Sequence, residues 1–262
     1  MNRDYNETQM MTHGISAYIV RWFFLCRLPL LSTAIIWLYA SYFQANFYGH
    51  KLKDFDCLLS FFLRTRDLSA KMRGQDLISG YVSPVEATIQ YWGKLSHNNA
   101  LPIKGAGFTV AKLLGFEAPH FVTGIVLYLP PGNYHHVHAP VDMVVEDYIE
   151  LPGHLLALKE NASHKNPMIY CENYRHVIVA RSHHGERFAL VLVGAKHIGS
   201  IACPKLAGFE KGKDVGFEKG EEIGFFSLGS SVVLLSDRSI PMLKNIGDCI
   251  DVIDVLFDEG GL

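Results

Sequence analysis

The chain lacks an excess of charge of either sign, with 24 lysines and arginines against 26 aspartates and glutamates in 262 residues. Without a basic surplus there is no electrostatic footprint for a polyanion, which sets nucleic acid aside as a partner. Cysteine is scarce too. Cys26, Cys57, Cys171, Cys203 and Cys249 are odd in number, far apart and free of any C-x-x-C, which excludes a disulfide framework and fits a reducing compartment. They read as small buried apolar residues. Also missing are a G-x-S-x-G elbow, a P-loop, an H-E-x-x-H pair and a strand-borne G-x-G-x-x-G. Their absence removes the commonest hydrolase, nucleotide-binding and zinc-protease signatures. No Pro/Ser-rich linker divides the chain, and no small-residue cleavage site follows a basic start, so no secretory signal is read.

What is present is apolar mass. With 49% hydrophobic and 19% charged residues, the chain has enough for one large domain, or one domain with an appendage. Residues 28–49 carry no ionisable group except tyrosine, and the apolar stretch before them holds only Arg21 and Arg27. That approaches the roughly 20 residues of a spanning helix, but Ser32, Thr33, Ser41, Gln44 and Asn46 dilute it. Arg21 and Arg27 beside Trp22, Trp37, Tyr39 and Tyr42 suit helices lying at a lipid headgroup layer. The competing reading is a pair of core helices, the second opened by Pro29. We therefore expect residues 1–50 to form a membrane-associating helical region and residues 51–262 the main domain.

Beyond residue 50 the pattern changes. Residues 55–68 and 106–114 look helical, whereas residues 121–129, 177–180, 188–193 and 231–235 are strand-like runs of Val, Ile, Leu and Phe between Gly, Pro and Asn. The expected class is α+β, a mainly antiparallel β-sheet core with N-terminal helices packed on it. A short repeat, Gly208 to Val215 followed by Gly216 to Ile223, fits adjoining loop and strand pieces rather than a solenoid.

Two features carry chemistry. Three imidazoles, His135, His136 and His138, follow the turn Pro130-Pro131-Gly132. As metal ligands, His136 and His138 would share one strand face, yet the sequence offers no clear third ligand. His183 and His184, beside Gly185 and Glu186, read as a solvated loop. The second feature is Gly229-Ser230, because a serine after a glycine in a strained turn beside a base can break its own backbone and leave a ketone. The dipeptide alone is weak, since Gly199-Ser200 occurs as well.

Segments Tyr134 to Pro140, Leu151-Pro152-Gly153, Val193-Gly194-Ala195 and Ile198 to Ile201 are followed by Lys219 to Gly224 and Leu228-Gly229-Ser230-Ser231. In order and spacing this series resembles the phosphatidylserine decarboxylase family. Phe61-Phe62 with Arg64, Ile103-Lys104-Gly105 and Leu113-Leu114-Gly115 are similar to its remaining landmarks, and the resemblance covers roughly residues 55–235.

The resemblance implies a self-processing proenzyme cut between Gly229 and Ser230 into a β chain, 1–229, and an α chain, 230–262. Ser230 Oγ attacks the Gly229 carbonyl to give an ester; elimination leaves dehydroalanine, which hydrolyses to a pyruvoyl group and ammonia. Ser231 is the neighbour, not the nucleophile. By motif position His138 is implied to activate Ser230, and His135 to transfer a proton during decarboxylation. The family's third processing residue is an aspartate in S-P-x-D-G; here the segment reads Ser83-Pro84-Val85-Glu86-Ala87, so Glu86 would orient His138 on a longer arm. The implied cofactor is the covalent pyruvoyl group from Ser230, an electron sink. The implied reaction converts phosphatidylserine to phosphatidylethanolamine and carbon dioxide at the cytoplasmic face of a bacterial cell membrane. Implied partners are the lipid, the membrane surface, the two chains of the proenzyme and a homodimer mate. Glu86 and Ala87 also fit a second reading, an uncleaved pseudoenzyme of the same fold with a lipid-binding or regulatory role. A metal-dependent hydrolase built on the three histidines is a third.

Overall fold

The structure is a computed structural model that describes residues 15–75, 80–96, 98–102, 107–156, 166–194, 201–227, 229–241 and 243–258. The segments Ile103-Lys104-Gly105 and Ile198-Gly199-Ser200, together with Ala195 and Leu228, lie outside the described residues. Helices α1 (Ile15–Leu25), α2 (Pro29–Phe43), α3 (Leu58–Phe62) and α4 (Ser69–Gln75) come first. They are followed by strands β1 (Gly80–Val82), β2 (Ala87–Lys94), β3 (Ala100–Leu101) and β4 (Phe108–Thr109), then helix α5 (Val110–Leu114). Next are β5 (Thr123–Leu129), β6 (His136–His138), β7 (Met143–Leu151), helix α6 (Ile169–Glu172), β8 (Arg175–Ser182) and β9 (Arg187–Gly194). The chain ends with β10 (Ile201–Ala202), β11 (Val215–Phe217), β12 (Glu222–Phe226), β13 (Ser230–Ser236), β14 (Cys249–Ile250) and β15 (Val255–Asp258).

Eight strands form one sheet in the order β11-β7-β8-β9-β13-β5-β2-β14, and every pairing within it is antiparallel. The expected α+β class with an antiparallel core is what the chain forms. β13 lies between β5 and β9 and is buried along its whole length. Side chains alternate across a strand. Val232 and Leu234 accordingly join one core with Leu127, Leu192, Val137, Ile223 and Phe226, while Val233 and Leu235 join another with Val126, Val191 and Leu113. The first core is closed by a three-stranded sheet, β10-β12-β6, which carries the histidines. By the same alternation Ser230 faces this layer and Ser231 the opposite one.

The four expected strand runs all lie in this sheet, although β5 opens at Thr123 rather than at Phe121. The expected helix over 55–68 is a correction: α3 stops at Phe62 because the next carbonyls serve other partners. Leu63 O accepts from His136 Nε2, and Thr65 O contacts His50 Nε2. The expected helix over 106–114 opens only at Val110, where Thr109 Oγ1 caps Lys112 N; residues 108–109 pair as a strand instead. The cysteine reading also needs adjustment. Cys26, Cys57 and Cys203 are buried, but Cys171 is half-buried and Cys249, on the short outermost strand β14, is exposed. The 208–223 repeat does resolve into loop and strand pieces, ending in β11 and β12.

The N-terminal helices pack on α3 in one cluster, Phe24, Ile36, Ala40, Leu58, Phe61 and Phe62, which crosses the expected boundary at residue 50. Helix α2 buries Ser32, Ile36 and Ala40, four residues apart and thus on one stripe. Its bulkier residues Leu30, Trp37 and Tyr42 point outward, at 91%, 58% and 81% exposure. No single described helix is long and apolar enough to cross a membrane; Tyr18–Leu25 and Pro29–Phe43 meet at a bend of 107°.

Candidate active site

The site begins with the turn that launches β6. Tyr39 Oη, on α2, donates to Pro131 O at 2.7 Å. Buried Arg64 donates through Nη2 to Gly132 O at 2.7 Å and through Nη1 to Phe61 O at 3.1 Å, so one guanidinium ties α3 to the turn. Gly132 has to be glycine: a Cβ there would stand 2.3 Å from Phe43 O, against the end of α2. The turn is therefore held from below by the N-terminal helices.

Three imidazoles leave this turn in different directions. His135 is fully buried against Phe62, with ring centres 4.2 Å apart. Its Nδ1 lies 2.9 Å from Asn133 O, which assigns the proton to Nδ1 and leaves Nε2 as a buried nitrogen without a hydrogen-bond partner. Burial pushes its pKa down to about 3. In β6, Val137 enters the core, and His136 and His138 both stack on Tyr134, at 4.8 and 5.7 Å. His136 Nδ1 is 3.1 Å from Glu222 Oε2, within ion-pair distance but without hydrogen-bond alignment. Among the described residues no group of three His, Cys, Asp or Glu side chains converges to hold a metal ion.

His138 contacts Gly220 O through Nδ1 at 2.8 Å and Tyr134 Oη through Nε2 at 3.1 Å. A carbonyl can only accept, so Nδ1 carries the proton and Nε2 accepts from the tyrosine hydroxyl. Burial brings its pKa down to about 4. Gly220 adopts φ +79° and leaves no room for a side chain, since a Cβ would meet Met72 Sδ at 2.2 Å.

Glu86 sits elsewhere. Its half-buried carboxylate accepts from Tyr48 Oη and from the Tyr134 backbone N–H, with Arg66 Nη1 at 3.6 Å. Desolvation raises its pKa. Its segment still touches the histidine strand, because His138 N donates to Pro84 O at 2.8 Å. The direct pairing of Glu86 with His138 expected from the sequence is not made. The reason is local: the glutamate arm is taken by Tyr48 and Tyr134, while both His138 nitrogens have other partners.

Ser230 is the first residue of β13, facing Leu129 of β5 and Gly194 of β9. It is fully buried, and its Oγ has no hydrogen-bond partner among the described residues. Such a hydroxyl costs about 1–3 kcal/mol, and buried unsatisfied groups cluster where chemistry is done. Gly229 before it is half-buried. By contrast, His183 and His184 are exposed at the β8–β9 hairpin, although their neighbour Glu186 is buried and paired with Arg238 at 2.8 Å. Sequence reasoning missed Tyr134, Tyr48 and the Gly220 carbonyl. Tyr134 had a signal, an aromatic ring four residues before a candidate base; the other two come together only in the fold.

Fold and site thus define a chain whose central strand opens with a buried serine after glycine, unpartnered among the described residues and facing the layer that carries His138, whose imidazole, like that of His135, is held neutral by burial. A family model for phosphatidylserine decarboxylase matches residues 58–252. The phosphatidylserine decarboxylase proenzyme of Geobacillus sp. (strain WCH70) is 31% identical over 243 residues, which cover 88% of this chain and 86% of that relative. That of Geobacillus kaustophilus (strain HTA426) is 32% identical over 243 residues, with 88% and 85% covered. That of Legionella pneumophila (strain Corby) is 30% identical over 200 residues, with 70% and 69% covered. The chain belongs to the phosphatidylserine decarboxylase family.

Proposed function

We propose that this chain is a self-processing phosphatidylserine decarboxylase, cut between Gly229 and Ser230, that forms phosphatidylethanolamine and carbon dioxide at a membrane surface. The observation that carries the reading is Ser230 Oγ, buried and without a hydrogen-bond partner among the described residues, directly after Gly229 in a member of this family. No observation favours the uncleaved pseudoenzyme.

Ser230 is the residue that would become the pyruvoyl group, and the buried polar orphan fits that role. Its hydroxyl needs a base to be a competent nucleophile at neutral pH. Both His135 and His138 are neutral there; the lone pair at His135 Nε2 is open, whereas that at His138 Nε2 accepts from Tyr134 Oη and has to be released before it takes the serine proton. When present, the pyruvoyl ketone supplies an electron sink for loss of the carboxylate from an α-amino acid. His135 can take a proton at Nε2 and return it to the product's α-carbon, its Nδ1–H remaining on Asn133 O.

The cut chains are expected to stay together. Residues 230–262 contribute β13 between β5 and β9, β14 beside β2 and β15 beside β1, so the α chain is woven into the β chain at three places. The diacyl substrate gives the exposed face of α1 and α2 its purpose. Trp22 is 53% exposed, and with Arg21 and Arg27 it lines a groove of about 520 Å³ along α1 and the bend that follows it. Aromatic rings and cationic tips of this kind sit well at headgroup level. A homodimer and the cytoplasmic face of a bacterial membrane complete the proposed setting.

The test is intact mass of freshly made protein beside Ser230→Ala. We expect two species from the wild type, 1–229 and a blocked 230–262, and one from the variant. Only full-length wild-type chain would sink the reading.

A further inference from the structure

We propose that His138 is oriented by the Gly220 carbonyl and the Tyr134 hydroxyl, and that Glu86 is a positioning residue acting on it only through Tyr134. The proposal rests on the self-cleavage reading and names who holds its base.

In a serine triad the third member has two tasks: it fixes the imidazole tautomer by accepting from Nδ1–H, and it stabilises the imidazolium. The first task belongs here to Gly220 O, 2.8 Å from Nδ1. This acceptor is rigid. Gly220 lies in a positive-φ turn under Met72, and its N–H donates to Ala139 O at 2.8 Å, so turn and histidine strand are bonded on both sides of His138. The Tyr134 hydroxyl, at 3.1 Å, fixes the second nitrogen. Tyr134 is itself immobilised: it is 2% exposed, packs with Leu68, Val82, Val252 and Ile253, and meets the Tyr48 ring edge-on at 5.9 Å.

Glu86 contributes to that immobilisation. Its carboxylate accepts the Tyr134 N–H and the Tyr48 hydroxyl, and its backbone O accepts from Asn133 Nδ2 at 3.3 Å. It thereby clamps residues 133–134 at the base of β6. Arg66, 3.6 Å from this carboxylate, is committed to Asp251 through two bonds of 2.6 and 2.8 Å. The largest charged and titratable influences on His138 are His136 and Arg66, which oppose its protonation, and Glu222, which favours it. Its two ring nitrogens are bonded to Gly220 O and Tyr134 Oη rather than to Glu86. A carboxylate that supports Tyr134 by accepting hydrogen bonds is replaceable by an amide oxygen; a triad carboxylate is not, and its change to amide costs about 10⁴ in rate.

The experiment follows cleavage of newly translated full-length chain by gel and intact mass, from pH 5 to 9. Wild type is compared with Glu86→Gln, Tyr134→Phe and Ser230→Ala, and folding is checked by thermal unfolding. One neutral hydrogen bond is worth about 1 kcal/mol, so Glu86→Gln is expected to slow cleavage by less than about tenfold. Tyr134→Phe, which leaves the buried Nε2 unsatisfied at about 1–3 kcal/mol, should slow it by about five- to a hundredfold. It should also move the acid limb of the pH profile upward, since the lost hydroxyl bonded only the neutral imidazole. A second readout does not need cleavage: in a Ser230→Ala background, ¹⁵N NMR should find the His138 titration raised by Tyr134→Phe and moved less by Glu86→Gln. Glu86→Gln that folds but stays as uncut as Ser230→Ala, beside a wild type that cuts, overturns the proposal. So does Tyr134→Phe with unchanged rate, pH profile and titration. A wild type that stays whole overturns the self-cleavage reading itself, which is a different result.

Discussion

Strand β13 and helix α2 are both built from apolar residues with a few hydroxyls, yet one is buried at every position and the other shows its largest side chains to the outside. In β13 both edges are hydrogen-bonded and both faces covered, so Val232, Val233, Leu234 and Leu235 have nowhere to be but inside. In α2 only a narrow stripe, Ser32, Ile36 and Ala40, is buried, whereas Leu30, Trp37 and Tyr42 project away. The usual amphipathic helix turns polar residues outward instead. A contiguous apolar face of this kind marks an interaction surface. Hydrophobicity therefore closes a core in one region and is left on the outside in the other, and the Pro130-Pro131-Gly132 turn joins them through Tyr39, Phe43 and Arg64.

That division can be broken from either side, most simply in the uncleavable Ser230→Ala chain. The largest effect is expected in the sheet: Leu234→Ala should cost about 2–5 kcal/mol of stability by denaturant unfolding, as a cavity in a closed core does. Gly132→Ala strikes the junction. Its methyl group meets the Phe43 carbonyl, and relieving the overlap should cost about 1–3 kcal/mol. In the cleavable chain it should also slow processing by shifting the start of β6 and with it His138, read on the same gels as Ser230→Ala.

Acid should act on the buried histidines next. His135 and His138 at the site, and His176 on β8 of the large sheet, have folded pKa values brought by burial from 6.5 to about 3, 4 and 4. The unfolded chain therefore binds protons that the folded chain refuses. Their stabilisation is full above pH 6.5 and is lost as pH falls through the window from 6.5 toward 4. Glu86, shifted upward, has the opposite sign and partly offsets this above its ordinary 4.5. A thermal midpoint that does not fall across this window would contradict neutral burial of these rings. The smallest stability effect is expected on α2, where Leu30→Ser with Trp37→Ser should change unfolding by less than about 0.5 kcal/mol. The same pair should weaken binding to anionic lipid vesicles by at least tenfold, since each side chain contributes about 1.5–3 kcal/mol when buried. Equal loss of stability and vesicle binding would mean that α2 is an ordinary core helix.

Much of the fold was legible because its signals are local. Runs of Val, Ile, Leu and Phe between turn residues announced β5, β8, β9 and β13, and Pro29 marked the start of α2. Helix ends were less legible, because carbonyls at Leu63 and Thr65 are claimed by histidines from elsewhere in the chain. In the site, Ser230 and the histidines were legible as motifs. The partners of those histidines were not: Gly220 is 82 residues from His138, and Tyr48 is 38 from Glu86. No spacing rule connects such pairs.

The sequence by itself determined the chemistry available: a glycine–serine bond, three imidazoles after a stiff turn, one carboxylate where the family carries a shorter one, and an apolar start. Tertiary structure alone decided which of these meet. Strand alternation turned Ser230 toward the histidine layer, burial held His135 and His138 neutral, and a backbone carbonyl with a tyrosine hydroxyl took the places beside His138. The physical reason is that composition fixes what a group can donate or accept, while only packing fixes what stands within 3 Å of it.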